Sequence, residues 1–170
     1  MNIGIGFNGI VGANAPVVNG NVMDIKQDDH VKVGYIKWDS FNIGKDATVN
    51  ILQNSGKQTM INQVVGSGLS EIYGKLNAKG TVVLINPKGV VFANGCQVNV
   101  GGLAVYAADT KIDKDFNLLA VKNDAYSTDI KIEEGAQIAI SQGLTNLGFK
   151  AEDYKLPEAG YGEGRLILVA

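Results

Sequence analysis

Short apolar runs recur along the chain about every ten residues, and turn-forming residues separate them. The runs span residues 31–36, 47–53, 60–65, 71–76, 81–85 and 90–92. Turn signals follow them at Asn54–Lys57, Gly66–Gly68, Ala78–Gly80 and Asn86–Gly89. Five-residue strands at this spacing are typical of a β-sandwich, a β-barrel or a β-solenoid. The best helical candidate is the short segment 146–154, and Pro157 limits its length.

Composition supports an all-β fold and excludes a nucleic-acid partner. Val and Ile total 34 of the 170 residues against 12 Leu, and there are 22 Gly and 16 Asn. β-Branched side chains fit pleated surfaces, and Gly and Asn fit tight turns. Charged residues are only 19% of the chain and the net charge is −2, so no basic field is available to hold DNA or RNA.

Two features favour the solenoid, while a sandwich or barrel stays open. The run Val82–Ile85 is apolar at successive positions, as in a strand that is buried on both faces. Asn recurs at apparent strand ends, where it would occupy the sharp corners of stacked rungs. These asparagines are Asn50, Asn62, Asn77, Asn86, Asn94 and Asn99. From residue 108 the pattern loosens, with further strands predicted at 118–121, 130–132, 137–140 and 165–169.

Residue types that carry chemistry are scarce. One Cys and one His cannot build a Cys/His zinc site, one Cys cannot form an internal disulfide, and His30 lies in a polar run that predicts a loop. Cys96 is interpreted as a small buried hydrophobe. The carboxylate pairs lie in charged turns and are predicted to be solvated rather than hydrolytic. They are Asp28 with Asp29, Asp109 with Asp113, and Glu133 with Glu134.

The segment Gly4–Gly9 matches G-x-G-x-x-G, but its context does not suit a dinucleotide site. Such a site needs a preceding strand and a following helix, whereas Gly12, Asn14 and Pro16 interrupt the following segment. No signal peptide or membrane span is visible. Taken alone, this is consistent with a cytoplasmic protein or with one whose leader has been removed.

Five separated motifs nevertheless resemble a known family. They are Trp38–Gly44, Met60–Gly66, Ser70–Gly80, Val83–Phe92 and Val98–Ala104. In this order and spacing they are similar to the secretion domain of two-partner secretion exoproteins, the filamentous-haemagglutinin-type haemagglutination activity domain. The resemblance covers residues 22–107.

The resemblance implies a right-handed parallel β-helix with capping strands, in one domain. Residues 1–21 would form the N-terminal cap, 22–107 the family-like core and 108–170 the C-terminal rungs or cap. It implies a secreted or surface exoprotein of a Gram-negative cell that crosses the periplasm unfolded. There it would be recognised by the POTRA domains of an outer-membrane transporter, and outside it would nucleate β-helix folding. We expect a monomer that is not an enzyme, with no cofactor, metal or membrane insertion. The alternative is an adhesin domain that binds host glycan or protein.

Residues carry over one at a time. Asn86, Pro87 and Gly89 match the family's Asn-Pro-Asn-Gly turn, with Lys88 at the usual Asn. Asn62 and Val64 match its Asn-Arg-Val element, with Gln63 at the usual Arg. These residues, together with Trp38 and Phe41, are the candidate partner-recognition or folding motif. The residues alone leave both roles open, because Pro87 fixes φ and Gly89 permits positive φ, which suits a turn. Trp38 is interpreted first as a core anchor or end cap.

Overall fold

The computed structural model describes residues 7–121, 128–140 and 164–170, and these residues form strands and no helix. None of them therefore supplies a helix that could cross a bilayer.

The strands, numbered in chain order, lie on three faces. Face 1 holds β2 (Val17–Asn19), β3 (Val22–Lys26), β5 (Thr48–Leu52), β8 (Lys75–Ala78), β11 (Gln97–Val100) and β16 (Gln137–Ile140). Face 2 holds β1 (Phe7–Val11), β4 (Val33–Trp38), β6 (Thr59–Val64), β9 (Thr81–Ile85), β12 (Gly102–Tyr106) and β17 (Leu166–Val169). Face 3 holds β7 (Ser70–Ile72), β10 (Val90–Phe92) and β15 (Ile130–Ile132).

The chain visits the three faces in the same order in each turn, which makes a parallel β-helix. Rung 1 is β3, β4 and a bridge at Ile43; rung 2 is β5, β6 and β7; rung 3 is β8, β9 and β10. Rung 4 is β11, β12 and β15, and rung 5 is β16 and β17. Strands of successive rungs pair parallel and in register. The predicted fold class is confirmed, and the sandwich or barrel alternative is wrong.

Alternating side chains fill the inside of this helix. On β5, Val49 and Ile51 are fully buried whereas their neighbours are half-buried. Because neighbouring strands are in register, Leu76 of β8 lies directly below Val49 and Val98 of β11 directly below Leu76. One continuous apolar column therefore runs through the rungs, and each rung completes its burial only against the next.

The N-terminal end of the helix is closed by reversed strands. β1 pairs antiparallel with β4, and β2 pairs antiparallel with β3. Both strand edges of rung 1 are therefore covered by chain that runs the other way, and a further parallel rung cannot add there.

A hairpin covers the outer side of face 2. It consists of β13 (Asp109–Ile112) and β14 (Leu118–Val121), which pair antiparallel and leave the helix between β12 and β15. Its apolar side chains meet a second cluster on the outer side of face 2, in which Val83 and Ile85 are buried. β9 is thus buried on both sides, as its continuous apolar run predicted, since Val82 and Leu84 point into the helix.

Four of the six asparagines do not occupy the corners that their spacing suggested. Asn50, Asn77 and Asn99 lie within strands of face 1, and Asn62 lies inside the helix. Among the described residues the positive-φ positions belong to glycines, such as Gly89 (φ 115) and Gly95 (φ 87), with Phe116 (φ 61) in the hairpin turn as the exception. The corner prediction holds for Asn86 and Asn94, which lie at turns, while the left-handed conformation is adopted by glycine, for which it carries no steric strain. The candidate helix at 146–154 lies outside the described residues.

Close contact between rungs yields the first test. A Cβ added at Gly66 would lie 1.9 Å from the backbone oxygen of Asp39 in the rung above. We expect Gly66→Ala to lower the free energy of unfolding by about 1–3 kcal/mol or more, because no rotamer change relieves a backbone clash. Urea denaturation measures this effect. The matched control is Gly68→Ala, where the added Cβ meets nothing within 4 Å and stability should stay within about 0.5 kcal/mol. Equal losses in both variants would contradict the tight stacking.

Candidate functional site

Asn62 lies inside the helix and joins three successive rungs. Its Oδ1 accepts a hydrogen bond from the Trp38 indole Nε1–H of rung 1 at 3.1 Å. Its Nδ2 donates to the backbone oxygen of Val83 in rung 3 at 3.3 Å and to that of Met60 in its own strand at 3.4 Å. The side chain is fully buried. A buried amide is tolerated only when its polar atoms are hydrogen-bonded in this way. Asn62 thus supplies the acceptor that the buried indole N–H of Trp38 needs, and it joins rung 1 to rung 3.

Asn86 lies at the corner between faces 2 and 3 and, like Asn62, connects neighbouring rungs by hydrogen bonds. Its Nδ2 donates to the backbone oxygen of Gly68 and to Ser70 Oγ in rung 2, each at 3.0 Å. Its backbone N–H donates to the oxygen of Tyr106 in rung 4 at 2.9 Å. Asn86 is also fully buried. Both motif asparagines therefore tie three neighbouring rungs together.

The residues after Asn86 form the tight turn that the motif predicted. Asn86 Oδ1 accepts from the Lys88 N–H at 2.9 Å, and the Asn86 backbone oxygen accepts from the Gly89 N–H at 3.1 Å. Pro87 occupies the second turn position, where its fixed φ is suitable, and Gly89 adopts φ 115. The turn brings the chain from face 2 into β10 on face 3.

Trp38 and Phe41 close the helix interior at rung 1. Their ring centroids are 5.5 Å apart and their planes meet at 75°, an edge-to-face contact, and both side chains are buried. In the folded domain Trp38 is thus a core anchor, in agreement with its first interpretation. Val64 is buried beside them in register with Trp38.

The exposed members of the motif meet at a groove. Gln63 points outward and accepts a short hydrogen bond from the Tyr35 hydroxyl, and Pro87 is half-buried. They line a groove of about 430 Å³ between the helix and strand β13 of the hairpin. The remaining lining residues are Val64, Val65, Ile85, Asp109, Thr110 and Lys111. This groove is the place where side chains of both motif segments are accessible in the folded domain.

The acidic residues and the glycine motif singled out from the sequence have the following positions in the structure. Asp29 is exposed and pairs with Lys26 at 2.5 Å, which holds the pKa of its carboxyl below the usual range. Asp113 organises the hairpin turn, where backbone and side-chain hydrogen bonds from Asn117 lower the pKa of its carboxyl. In the described parts of the chain no three His, Cys, Asp or Glu side chains are grouped so that they could hold a metal ion. Of the glycine motif, Gly4 and Gly6 lie outside the described residues, and Gly9 lies in β1.

Sequence reasoning missed a buried glutamine cluster at the corner between faces 1 and 2. Gln53 Nε2 donates to Gln27 Oε1 at 3.0 Å, and Gln27 Nε2 donates to the backbone oxygens of Val31 and Thr59, each at 3.0 Å. Gln58 caps the neighbouring turn, accepting from the Asn54 N–H at 2.6 Å. The available signal was that Gln27 and Gln53 directly follow β3 and β5, at equivalent rung positions.

Comparison with known proteins matches this architecture to one family. A family model described as the TPS secretion domain matches residues 9–170, which is more of the chain than the 22–107 that carried the resemblance. A heme/hemopexin-binding protein of Haemophilus influenzae strain Rd is 32% identical over 136 residues, which is 79% of this chain and 14% of that protein. A second Haemophilus influenzae heme/hemopexin-binding protein is 40% identical over 74 residues, 44% of this chain and 8% of that protein. The chain thus spans a small part of the length of these relatives.

Among solved structures, the HMW1 secretion domain from Haemophilus influenzae is similar to this chain. The TM-score is 0.62 at 26% sequence identity, over 75% of this chain and 35% of that one. The similarity agrees with the stacked, three-faced architecture of the rungs.

The Trp38–Asn62 contact can be tested by a double-mutant cycle. We expect Asn62→Leu to cost about 1–3 kcal/mol of unfolding free energy, because the buried indole N–H loses its acceptor. In the Trp38→Phe background the same change should cost less, since no indole N–H remains. Urea denaturation of the four proteins measures the coupling. Additive losses of unfolding free energy would contradict a stabilising hydrogen bond between the two side chains. The neutral control is Asn54→Ala, which lies in an exposed turn.

The single thiol provides a test of the closed interior. Cys96 is fully buried, as predicted, and burial raises the pKa of its thiol. The nucleophilic thiolate is therefore scarce, and we expect a maleimide to label the native domain slowly and the urea-unfolded chain rapidly. An Asn54→Cys, Cys96→Ala variant places the thiol on the surface and should react rapidly in both states. Rapid labelling of native Cys96 would show that the interior opens readily.

Proposed function

The chain belongs to the TPS secretion domain family, and from this premise we propose how it serves two-partner secretion. Its unfolded form is recognised by POTRA domains of an outer-membrane transporter, and outside the cell it folds first and nucleates a β-helix. The product is secreted or held at the cell surface. The domain itself is a protein-interaction and folding module and not an enzyme.

The observation that carries the nucleation role is the difference between the two ends of the helix. Reversed strands close the N-terminal end. At the other end, Leu166 and Leu168 of β17 are aligned with the interior residues Leu103 and Val105, yet they are 47% and 43% exposed. These side chains are aligned with the interior but remain exposed, and among the described residues the outer edge of β17 has no partner strand. Such an end is a template on which a further rung buries apolar surface.

Burial of the motif supports recognition of the unfolded chain rather than of the folded domain. Asn62 and Asn86 have no accessible surface once the rungs have stacked. A partner reaches their side chains only before folding, when the same amides are free to bond to a strand edge of that partner. Folding then withdraws them from the partner, which would give export a direction. These residues can thus serve recognition and folding in succession.

The ligands for which the relatives are named are not assigned to this chain. Binding of heme or hemopexin is stated for proteins of which this chain matches 14% or less. We therefore propose neither activity for this domain. Saturable binding of the folded domain to a glycan array would instead favour the alternative, an adhesin domain that binds host glycan or protein.

An export assay tests the proposal. A signal peptide, this chain and a reporter passenger are fused and co-expressed with candidate transporters, and reporter in the medium is measured. We expect Asn62→Ala and Asn86→Ala to lower export several-fold, because each removes a crosslink that stabilises the folded product. Asn54→Ala should export normally. Undiminished export after deletion of residues 22–107, together with no binding of the unfolded chain to the transporter's POTRA domains, would overturn the proposal.

Recognition and folding are separated by measuring binding before the chain folds. The urea-unfolded chain and its variants are diluted into buffer that contains folded POTRA domains, and early binding is measured by fluorescence anisotropy. Gly66→Ala impairs stacking at a position that is not one of the candidate recognition residues, so it should bind normally while exporting poorly. If Asn86→Ala binds as the native chain does, its export defect is due to folding alone. If it binds weakly, the POTRA domains of the transporter also recognise the Asn86 side chain.

A further inference from the structure

A row of polar side chains runs down the outer side of face 1. Asn50 Nδ2 donates to Asp24 Oδ1 at 3.1 Å, Asn77 Nδ2 to Asn50 Oδ1 at 3.0 Å, and Asn99 Nδ2 to Asn77 Oδ1 at 3.4 Å. We call these four residues the amide ladder. All four are half-buried and occupy in-register positions on β3, β5, β8 and β11. Each rung thus adds one side-chain hydrogen bond to the backbone bonds that join it to the rung above.

The amide ladder has a defined length. At its first rung Asp24 is a carboxylate, which accepts but cannot donate, so it suits the start of the row. At the other end the in-register partner of Asn99 is Ala139 on β16, which has no polar side-chain atom. In-register amides or carboxylates are therefore present on face 1 in rungs 1–4, and β16 supplies none at the next in-register position.

Rung 5 differs from the others in two further respects. Its residues that point inward are incompletely buried, since Ile138 and Ile140 are half-buried and Leu166 and Leu168 are exposed. It also lies further along the chain from its neighbours. Strands of rungs 1–4 on face 1 pair at separations of 22 to 27 residues, whereas Gln97 pairs with Gln137. On face 2, Leu103 pairs with Leu166. Bringing together strands that are further apart along the chain costs more loop-closure entropy.

We propose that the domain consists of two cooperative units. Rungs 1–4, joined by the amide ladder, form a register-locked block, and rung 5 opens from it in the native state without global unfolding. Opening uncovers the edges of β11 and β12 and leaves the block intact. The inference concerns the isolated domain, so it can fail while the proposed export role holds, and the reverse is also true.

Native-state hydrogen exchange on the 170-residue chain tests the two units. We expect backbone amides of β16 and β17 to exchange at least about tenfold faster than those of β5 and β8, through openings whose rate depends little on low urea. Amides of β11 that bond to the ladder rungs should behave like the block. Equal protection of β16 and β8, with the same urea dependence, would show a single cooperative unit and overturn the proposal.

Extending the ladder tests its role directly. Ala139→Asn places an amide in register with Asn99, and one added hydrogen bond should slow exchange in β16 by about twofold to tenfold without changing β5. The matched control is Gln137→Asn on the same strand and the same outer side, in register with Gln97 rather than with the ladder. An equal effect from both variants, or no slowing with Ala139→Asn, would contradict a register lock by the ladder.

Discussion

Parallel, in-register stacking of one rung on the next is the constraint on which the rest of this structure depends. Strands within a rung do not pair with one another in the described residues, so they pair with strands of the rungs above and below or with the reversed strands β1 and β2. The interior side chains do the same, because Val49, Leu76 and Val98 form one column. A rung has little stability by itself, and stability accumulates as rungs are added.

The buried polar residues take part in this stacking. Asn62 and Asn86 each connect three successive rungs, and Gln27 and Gln53 connect two rungs at a corner. The half-buried amide ladder connects four rungs. A slip of two residues would still leave apolar side chains inside the column, whereas it would separate a buried amide from its partner, which is costly. The polar residues therefore specify which residue lies above which.

The same physics connects the fold with the proposed role in secretion. A chain whose strands have no partners within a rung presents unpaired edges until its rungs stack, and edges of that kind are what a partner can bind by adding a strand. Closure of one end by β1 and β2 leaves the other end as the side from which stacking can continue. Membership of the TPS secretion domain family and this geometry are consistent with a domain that folds early and templates the rungs added after it.

Much of the fold could be predicted from the sequence. Alternating residues such as Val49 and Ile51, separated by turn signals such as Asn86–Gly89, fix strands and turns locally, because side-chain alternation and glycine conformation act over a few residues. The motifs around Asn62 and Asn86 identified the family and the tight turn. Burial of Cys96 also followed from its residue type and context.

Only the tertiary structure decided which strands are neighbours and which way their polar residues point. Rungs on face 1 repeat at unequal separations, so Asn50, Asn77 and Asn99 have no fixed period that would reveal a row. A shift of one residue would turn each of them to the other side of its strand. The hairpin over face 2 likewise depends on an apolar outer surface that exists only after β4, β6, β9 and β12 have paired. The sequence by itself determined strands, turns and family, while register, inward or outward facing and the two unlike ends follow from the stacking of residues that are distant along the chain.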